Sequence, residues 1–118
     1  MKISTIKELL DAEVISGEDM LENEVHSACG SDMMSDVLAY VKDQAVLLTG
    51  LLNSQVIRTA VMMDMVCVVF VRDKRPTDDM IKLAEDSGIV VLTTAHRMYD
   101  ACGLLYTGGL NGRGDDHE

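Results

Sequence analysis

Three short runs of apolar residues mark the middle and C-terminal parts of the chain. They read AVLLT at 45–49, VCVVFV at 66–71 and IVVLTT at 89–94. None of them alternates between apolar and polar positions, and β-branched residues are frequent in all three. Continuous runs of this kind are typical of parallel strands that are covered on both faces. Two shorter segments, EVIS at 13–16 and VHSAC at 25–29, are also predicted to be extended.

The segments between these runs have the spacing of amphipathic helices, in which apolar residues recur at i, i+3, i+4 and i+7. Two sets of residues follow this spacing and are predicted to face inward: Met34, Val37, Leu38 and Val41, and Met98, Ala101, Cys102 and Leu105. A helix over 54–65 is predicted to place Val56, Ile57, Ala60 and Val61 inward. A first helix over STIKELL is predicted to be capped by Ser4, or by Thr5 in a capping box with Glu8. A helix over MIKLAEDS is predicted to begin near Pro76 and to end at Gly88.

Strands and helices of about ten residues therefore alternate along most of the chain. This alternation is the signature of βαβ units, which form parallel sheets with helices on both faces. We predict an α/β protein with three α/β/α layers and a mainly parallel sheet of four to five strands. The domain is predicted to span residues 1–106, and the glycine-rich segment 107–118 is predicted to be a disordered tail.

Composition narrows the possible partners. The chain has 118 residues, 47% of them hydrophobic, which favours one folded domain. Its formal net charge of −10 argues against binding to nucleic acids or to anionic membranes. The spacing of its three cysteines matches neither a metal site nor a disulfide framework. Because no apolar run resembles a signal segment or a membrane span, we expect a cytoplasmic protein with reduced thiols.

Candidate ligand-binding residues follow the predicted strands. In open parallel sheets, ligands bind at the carboxyl ends of the strands. The candidates at this edge are Ser31, Asp32, Thr49, Gly50, Asn53, Arg72, Thr93 and Thr94. Arg72, Lys74 and Arg75 concentrate positive charge there, and the helix N-termini add N–H donors. The pattern favours a small anionic ligand.

Each candidate also has a structural interpretation. Asp32 is of the residue type that caps helices and precedes a predicted helix, so an N-cap is the favoured interpretation. The basic stretch from Arg72 is more often a solvated loop than a phosphate clamp. Cys29 is predicted to be a buried structural thiol, since no catalytic motif surrounds it. No triad, metal cluster or cofactor motif is present, so we predict no metal, no cofactor and no enzymatic activity.

The chain resembles free-standing DRTGG domains. The similarity spans residues 2–106 and is carried by GEDMLENEV at 17–25, by Ser31-Asp32 with Ser35-Asp36, and by the SGIVVLTT strand. The resemblance implies a fold like the N-terminal domain of HPr kinase. It also implies a regulatory and dimerising module, of the kind that occurs beside CBS domains in pyrophosphatases and takes part in adenine-nucleotide responses. A homodimer is therefore expected.

The motif that names this family is not kept. Aligned by pattern, its Asp-Arg would fall near 52–53 and its Thr-Gly-Gly near 71–73, and Thr-Gly-Gly at 107–109 matches in letters only. Two functional hypotheses follow. The first is a non-catalytic sensor of an adenine nucleotide or another small anion at the strand ends. The second is an adaptor or accessory subunit of a cytoplasmic enzyme, such as an iron-hydrogenase-associated redox enzyme, without a small ligand.

Overall fold

The computed structural model describes residues 1–41 and 44–112. Helices and strands alternate after an N-terminal helix, and a short 3₁₀ turn, Glu18–Met20, lies in the acidic loop. In chain order the elements are α1 (Ile3–Leu9), β1 (Glu13–Ser16), β2 (Ser27–Gly30), α2 (Met34–Tyr40), β3 (Ala45–Thr49), α3 (Ser54–Met62), β4 (Cys67–Phe70), α4 (Asp78–Ser87), β5 (Val90–Thr93) and α5 (Met98–Thr107).

The five strands form one sheet in the order β1-β5-β4-β3-β2. Strands β2 to β5 are parallel, and each pairs with its neighbour in sequence. Strand β1 runs antiparallel to β5 and places Glu13 opposite Thr93. This arrangement confirms the predicted α/β fold with a mainly parallel sheet. It also brings the start of β1 to the edge where the parallel strands end.

Each face of the sheet has its own hydrophobic core. On one face, Leu47 and Phe70 pack with residues of α2, α3 and α4. On the other face, Leu48 and Val69 pack with residues of α1 and α5. The residues of β3, β4 and β5 are buried on both faces because helices cover both faces of the sheet. The unbroken apolar runs in the sequence have this physical cause.

Two predicted helix starts are wrong. Helix α1 begins at Ile3, and neither Ser4 nor Thr5 caps it. Instead, the backbone N–H groups of Ile3 and Ser4 donate to the carbonyl oxygens of Asn23 and Leu21, at 3.0 and 2.8 Å. Tertiary contact thus satisfies donors that a side-chain cap would otherwise satisfy. Helix α2 is likewise preceded by Met33 rather than Asp32, and no side chain caps it.

Helix α4 follows the prediction more closely, because Thr77 caps its start just after Pro76 and Gly88 caps its end with φ of 74°.

The predicted inward faces of α2 and α3 need correction. Val61 of α3 is 43% exposed, whereas Thr59 is fully buried on the inner face. Leu38 of α2 is 42% exposed, so this short helix packs mainly through Val37.

The chain packs on the domain beyond the predicted boundary at residue 106. Thr107 is the last residue of α5. Leu110 is only 4% exposed and joins the core under α1 and α5. The carbonyl oxygen of Asn111 accepts a hydrogen bond from the N–H of Ala28 in edge strand β2, at 2.9 Å. The rest of the predicted tail, residues 113–118, lies outside the described residues.

Candidate functional site

A cavity of about 440 Å³ lies at the carboxyl edge of the parallel strands. It opens between the loops that follow β2 and β4 and the first turn of α5. Its lining residues are Gly30, Ser31, Asp32, Val71, Arg72, Arg97, Met98 and Tyr99. A cavity of this volume is within the range that holds small ligands in proteins.

Asp32 is tied to the neighbouring strand and does not cap α2, which corrects the favoured interpretation of its role. Its Oδ1 accepts hydrogen bonds from Thr49 Oγ1 at 2.9 Å and from the N–H of Gly50 at 2.8 Å. Both donors lie at the end of β3, which pairs with β2. Ser31 Oγ accepts from the N–H of Met33 at 2.9 Å and closes the turn into α2. The loop after β2 is therefore fixed on both sides of Asp32.

Arg72 occupies an unusual backbone conformation at the end of β4. Arg72 and Asp73 have φ of 58° and 57°, in the left-handed region that non-glycine residues rarely adopt. Their N–H groups donate to the carbonyl oxygens of His96 and Thr94, both at 2.8 Å. These bonds to the loop after β5 hold the strained conformation. Strain of this kind clusters at functional sites.

The Arg72 side chain lies against Gly50. A Cβ atom added at Gly50 would lie 2.7 Å from Arg72 Nη2, closer than real Cβ atoms approach other heavy atoms. Any larger residue at position 50 would therefore displace the guanidinium. The glycine brings the Arg72 side chain and Asp32 Oδ1 to the same point at the end of β3.

The arginines near this edge of the sheet differ in whether they form ion pairs. Arg75 forms a salt bridge with Glu13 of β1. This hydrogen bond and charge lower the pKa of the Glu13 carboxyl and raise the pKa of the Arg75 guanidinium. By contrast, within 1–41 and 44–112 neither Arg72 nor Arg97 forms an ion pair or a side-chain hydrogen bond. Two cations of the cavity therefore have no ion-pair partner among these residues.

Three predicted site residues serve the scaffold instead. Thr93 Oγ1 donates to the carbonyl oxygen of Lys74 at 2.7 Å. Thr94 Oγ1 donates to the carbonyl oxygen of Leu10 at 2.6 Å. Asn53 caps α3 by accepting from the N–H of Gln55. None of the three lines the cavity.

The other five predicted residues come together. Ser31, Asp32 and Arg72 line the cavity. Thr49 and Gly50 donate hydrogen bonds to Asp32, and the Arg72 guanidinium packs against Gly50. The sequence reasoning missed Arg97, Met98 and Tyr99. Their signal was position, since they directly follow the last predicted strand-end loop. Tyr99 is 89% exposed and presents its ring at the rim of the cavity.

The thiols are not activated for nucleophilic attack. Burial raises the pKa of Cys29 and Cys102, which are half-buried, and raises the pKa of the fully buried Cys67 further. A raised pKa leaves less of the reactive thiolate. In the part of the chain that the structure describes, no group of three or more His, Cys, Asp or Glu residues is placed to hold a metal ion. No helix there is long and apolar enough to cross a membrane.

Comparison with known protein families identifies the family of this chain. A family model for the DRTGG domain matches residues 5–109. The chain belongs to the DRTGG family. No curated protein matches the sequence.

A solved structure with the same fold contains a DRTGG domain. It is the crystal structure of the CBS and DRTGG domains of the regulatory region of Clostridium perfringens pyrophosphatase, complexed with its activator, diadenosine tetraphosphate. The TM-score is 0.71 at 17% sequence identity. The similarity covers 88% of this chain and 45% of the other, so this DRTGG domain spans less than half of that regulatory region. At this identity the likeness shows the fold.

Proposed function

We propose that this DRTGG domain is a non-catalytic regulatory domain that binds a small anionic ligand, with an adenine nucleotide as the first candidate. The ligand site is the cavity at the carboxyl edge of the parallel strands. The observation that carries the proposal is the placement of Arg72 and Arg97 at one cavity without an ion pair among the described residues. In a chain of net charge −10, cations left unpaired in a cavity favour an anion.

The chemistry of the lining supports a nucleotide in particular. Guanidinium groups suit phosphates because they offer several N–H donors in a planar fork. The exposed ring of Tyr99 offers a surface on which a base could stack. The Clostridium perfringens regulatory region, which shares the fold, was crystallised with diadenosine tetraphosphate. Burial raises the pKa of the Cys29 and Cys102 thiols, which argues against a cysteine nucleophile.

Isothermal titration with AMP, ATP and diadenosine tetraphosphate tests the proposal. We expect at least one compound to bind, and Arg72→Ala and Arg97→Ala each to weaken it about tenfold or more, since hydrogen bonds to charged groups contribute about 1.5–3 kcal/mol. Arg58→Ala is the matched control, because Arg58 is an exposed arginine of α3 that does not line the cavity.

Thermal unfolding provides a second measurement. A ligand at a hundredfold excess over its Kd stabilises the fold by about 2.7 kcal/mol, which raises the melting temperature by several degrees. Equal binding by wild type, Arg72→Ala and Arg97→Ala would place the ligand elsewhere. No binding by any of the three nucleotides would overturn the proposal.

A second candidate function is protein interaction through the outer face of α5. Tyr99 and Tyr106 are 89% and 63% exposed there, and Gly103 lies between them at helical spacing. This face suits a homodimer or an adaptor for a cytoplasmic enzyme. Light scattering of wild type and Tyr106→Ser tests it, since Tyr106 does not line the strand-end cavity. We expect a dimer that Tyr106→Ser dissociates, whereas a monomeric wild type would contradict the homodimer.

A further inference from the structure

Asp32 presents an oriented hydrogen-bond acceptor to the cavity. Thr49 Oγ1 and the N–H of Gly50 both donate to the same oxygen, Oδ1, at 2.9 and 2.8 Å. Thr49 is fully buried at the end of β3, so its hydroxyl is a fixed donor. Two donors on one oxygen determine the plane and direction of the carboxylate. The second oxygen, Oδ2, accepts no hydrogen bond from any described residue.

Asp32 and Arg72 carry opposite charges and lie close to each other, yet they form no ion pair. Both contact Gly50, Asp32 through its Oδ1 and Arg72 through its guanidinium. Asp32 is oriented by hydrogen bonds from the end of β3, whereas a hydrogen bond to the loop after β5 fixes the backbone from which the Arg72 side chain extends. The cavity thus offers an acceptor and a set of donors next to each other, and neither neutralises the other.

A ligand that satisfies both groups must itself have two parts. Its anionic part faces Arg72 and Arg97. Its other part must donate a hydrogen bond, because a carboxylate only accepts. An anion with acceptor oxygens alone would place negative charge against Asp32 and would be disfavoured.

We propose that Asp32 is the specificity-determining residue of this cavity and selects ribonucleotides by accepting hydrogen bonds from the 2′- and 3′-hydroxyls of the ribose. This inference rests on the proposed function and names the ligand class of the same site. A ribose phosphate carries vicinal hydroxyl donors and an anionic phosphate in one small molecule, and the cavity offers it a carboxylate acceptor and guanidinium donors on the two sides of Gly50. Acidic side chains recognise ribose hydroxyls in the same way in other α/β folds that bind nucleotides at strand ends.

Titration of wild type with ATP, 2′,3′-dideoxy-ATP and inorganic triphosphate tests this inference. We expect ATP to bind about ten- to a hundredfold more tightly than dideoxy-ATP, the range for a hydrogen bond to a charged group. Triphosphate should bind more weakly than ATP. The wild-type comparison needs no variant, so it holds even if a substitution at Asp32 impairs folding.

Asp32→Asn then isolates the second oxygen. The amide oxygen of asparagine still accepts from Thr49 and Gly50, whereas the amide nitrogen cannot accept from a ribose hydroxyl. We expect the preference for ATP over dideoxy-ATP to fall about tenfold, since a neutral amide N–H that donates to a ribose hydroxyl makes a weaker hydrogen bond than the charged acceptor it replaces. The affinity for dideoxy-ATP should stay the same or rise. Asp36→Asn is the matched control, since Asp36 is an exposed carboxylate of α2 outside the cavity lining.

The possible outcomes separate this inference from the proposed function. Equal affinity of wild type for ATP and dideoxy-ATP overturns the role of Asp32 but leaves an anion site. A preference of unchanged size in Asp32→Asn, or triphosphate binding as tight as ATP binding, also overturns it. Failure of all three compounds to bind overturns the proposed function and this inference together.

Discussion

The ends of β3 and β5 carry the same residue type and use it differently. Thr49, Thr93 and Thr94 are all buried, and the hydroxyl of each donates a hydrogen bond. At β3 the acceptor is the carboxylate of Asp32, which lines the cavity. At β5 the acceptors are backbone carbonyls of neighbouring segments. A threonine at a strand end therefore contributes to a site only through its partner, and otherwise it fixes the scaffold.

The largest expected effect on stability is at the end of β5. Thr94→Val keeps the shape of the side chain but removes the donor to the Leu10 carbonyl and the acceptor for the N–H of His96. We expect the free energy of unfolding in urea to fall by about 1–3 kcal/mol, because the buried carbonyl loses its partner. Ligand affinity should not change. Thr107→Val is the control, since Thr107 is exposed at the end of α5, and equal stability of the two variants would refute the scaffold role.

Thr49→Val tests the other end of the comparison. It removes the donor to Asp32 and the acceptor for the N–H of Leu51. We expect a loss of about 0.5–1.5 kcal/mol in unfolding free energy. Binding of ATP should also weaken, because Asp32 loses one of the two donors that orient it. Thr93→Val should lower the free energy of unfolding without changing the affinity for ATP. Equal effects of Thr49→Val and Thr93→Val on ATP affinity would contradict the different roles of the two strand ends.

Glycine substitutions at the end of β4 separate strain from binding. Arg72 and Asp73 share a left-handed backbone conformation, but Arg72 alone lines the cavity. Relief of strain is offset in part by the backbone entropy of glycine, so each substitution should raise the free energy of unfolding by up to about 1 kcal/mol. Arg72→Gly should weaken ATP binding about tenfold or more, as Arg72→Ala does, and Asp73→Gly should preserve it. A loss of ATP binding in Asp73→Gly would show that binding depends on the left-handed backbone conformation and not only on the Arg72 guanidinium.

The smallest effect is expected at the salt bridge between Arg75 and Glu13. The lowered pKa of Glu13 means that the pair stabilises the fold fully above the ordinary value of 4.5, and that this contribution is lost as the pH falls through the lowered value. Glu13→Gln should therefore melt slightly below wild type at pH 7 and at the same temperature as wild type in strong acid. Glu18→Gln is the control at an exposed carboxylate. A difference that persists in strong acid would contradict the ionic origin.

The sheet was predictable because local sequence determines it. VCVVFV and IVVLTT are apolar without alternation, and both proved to be strands covered on two faces. The site was less predictable because its bonds are long-range. The partner of Asp32 is Thr49, 17 residues away, and sequence alone suggested a local cap. No glycine marks the left-handed backbone at Arg72, because contacts with the loop after β5 impose it.

Strand β1 comes early in the sequence, yet its pairing partner is the last strand of the sheet. During synthesis, β2 to β5 can assemble in the order in which they leave the ribosome, since each pairs with the strand before it. Segment 1–16 must wait several seconds, at about 5–20 residues per second, until β5 has been made. From the synthesis of β5 until β1 pairs with it, the edge of β5 is open to other chains. The N-terminal strand thus acts as the closing step of folding.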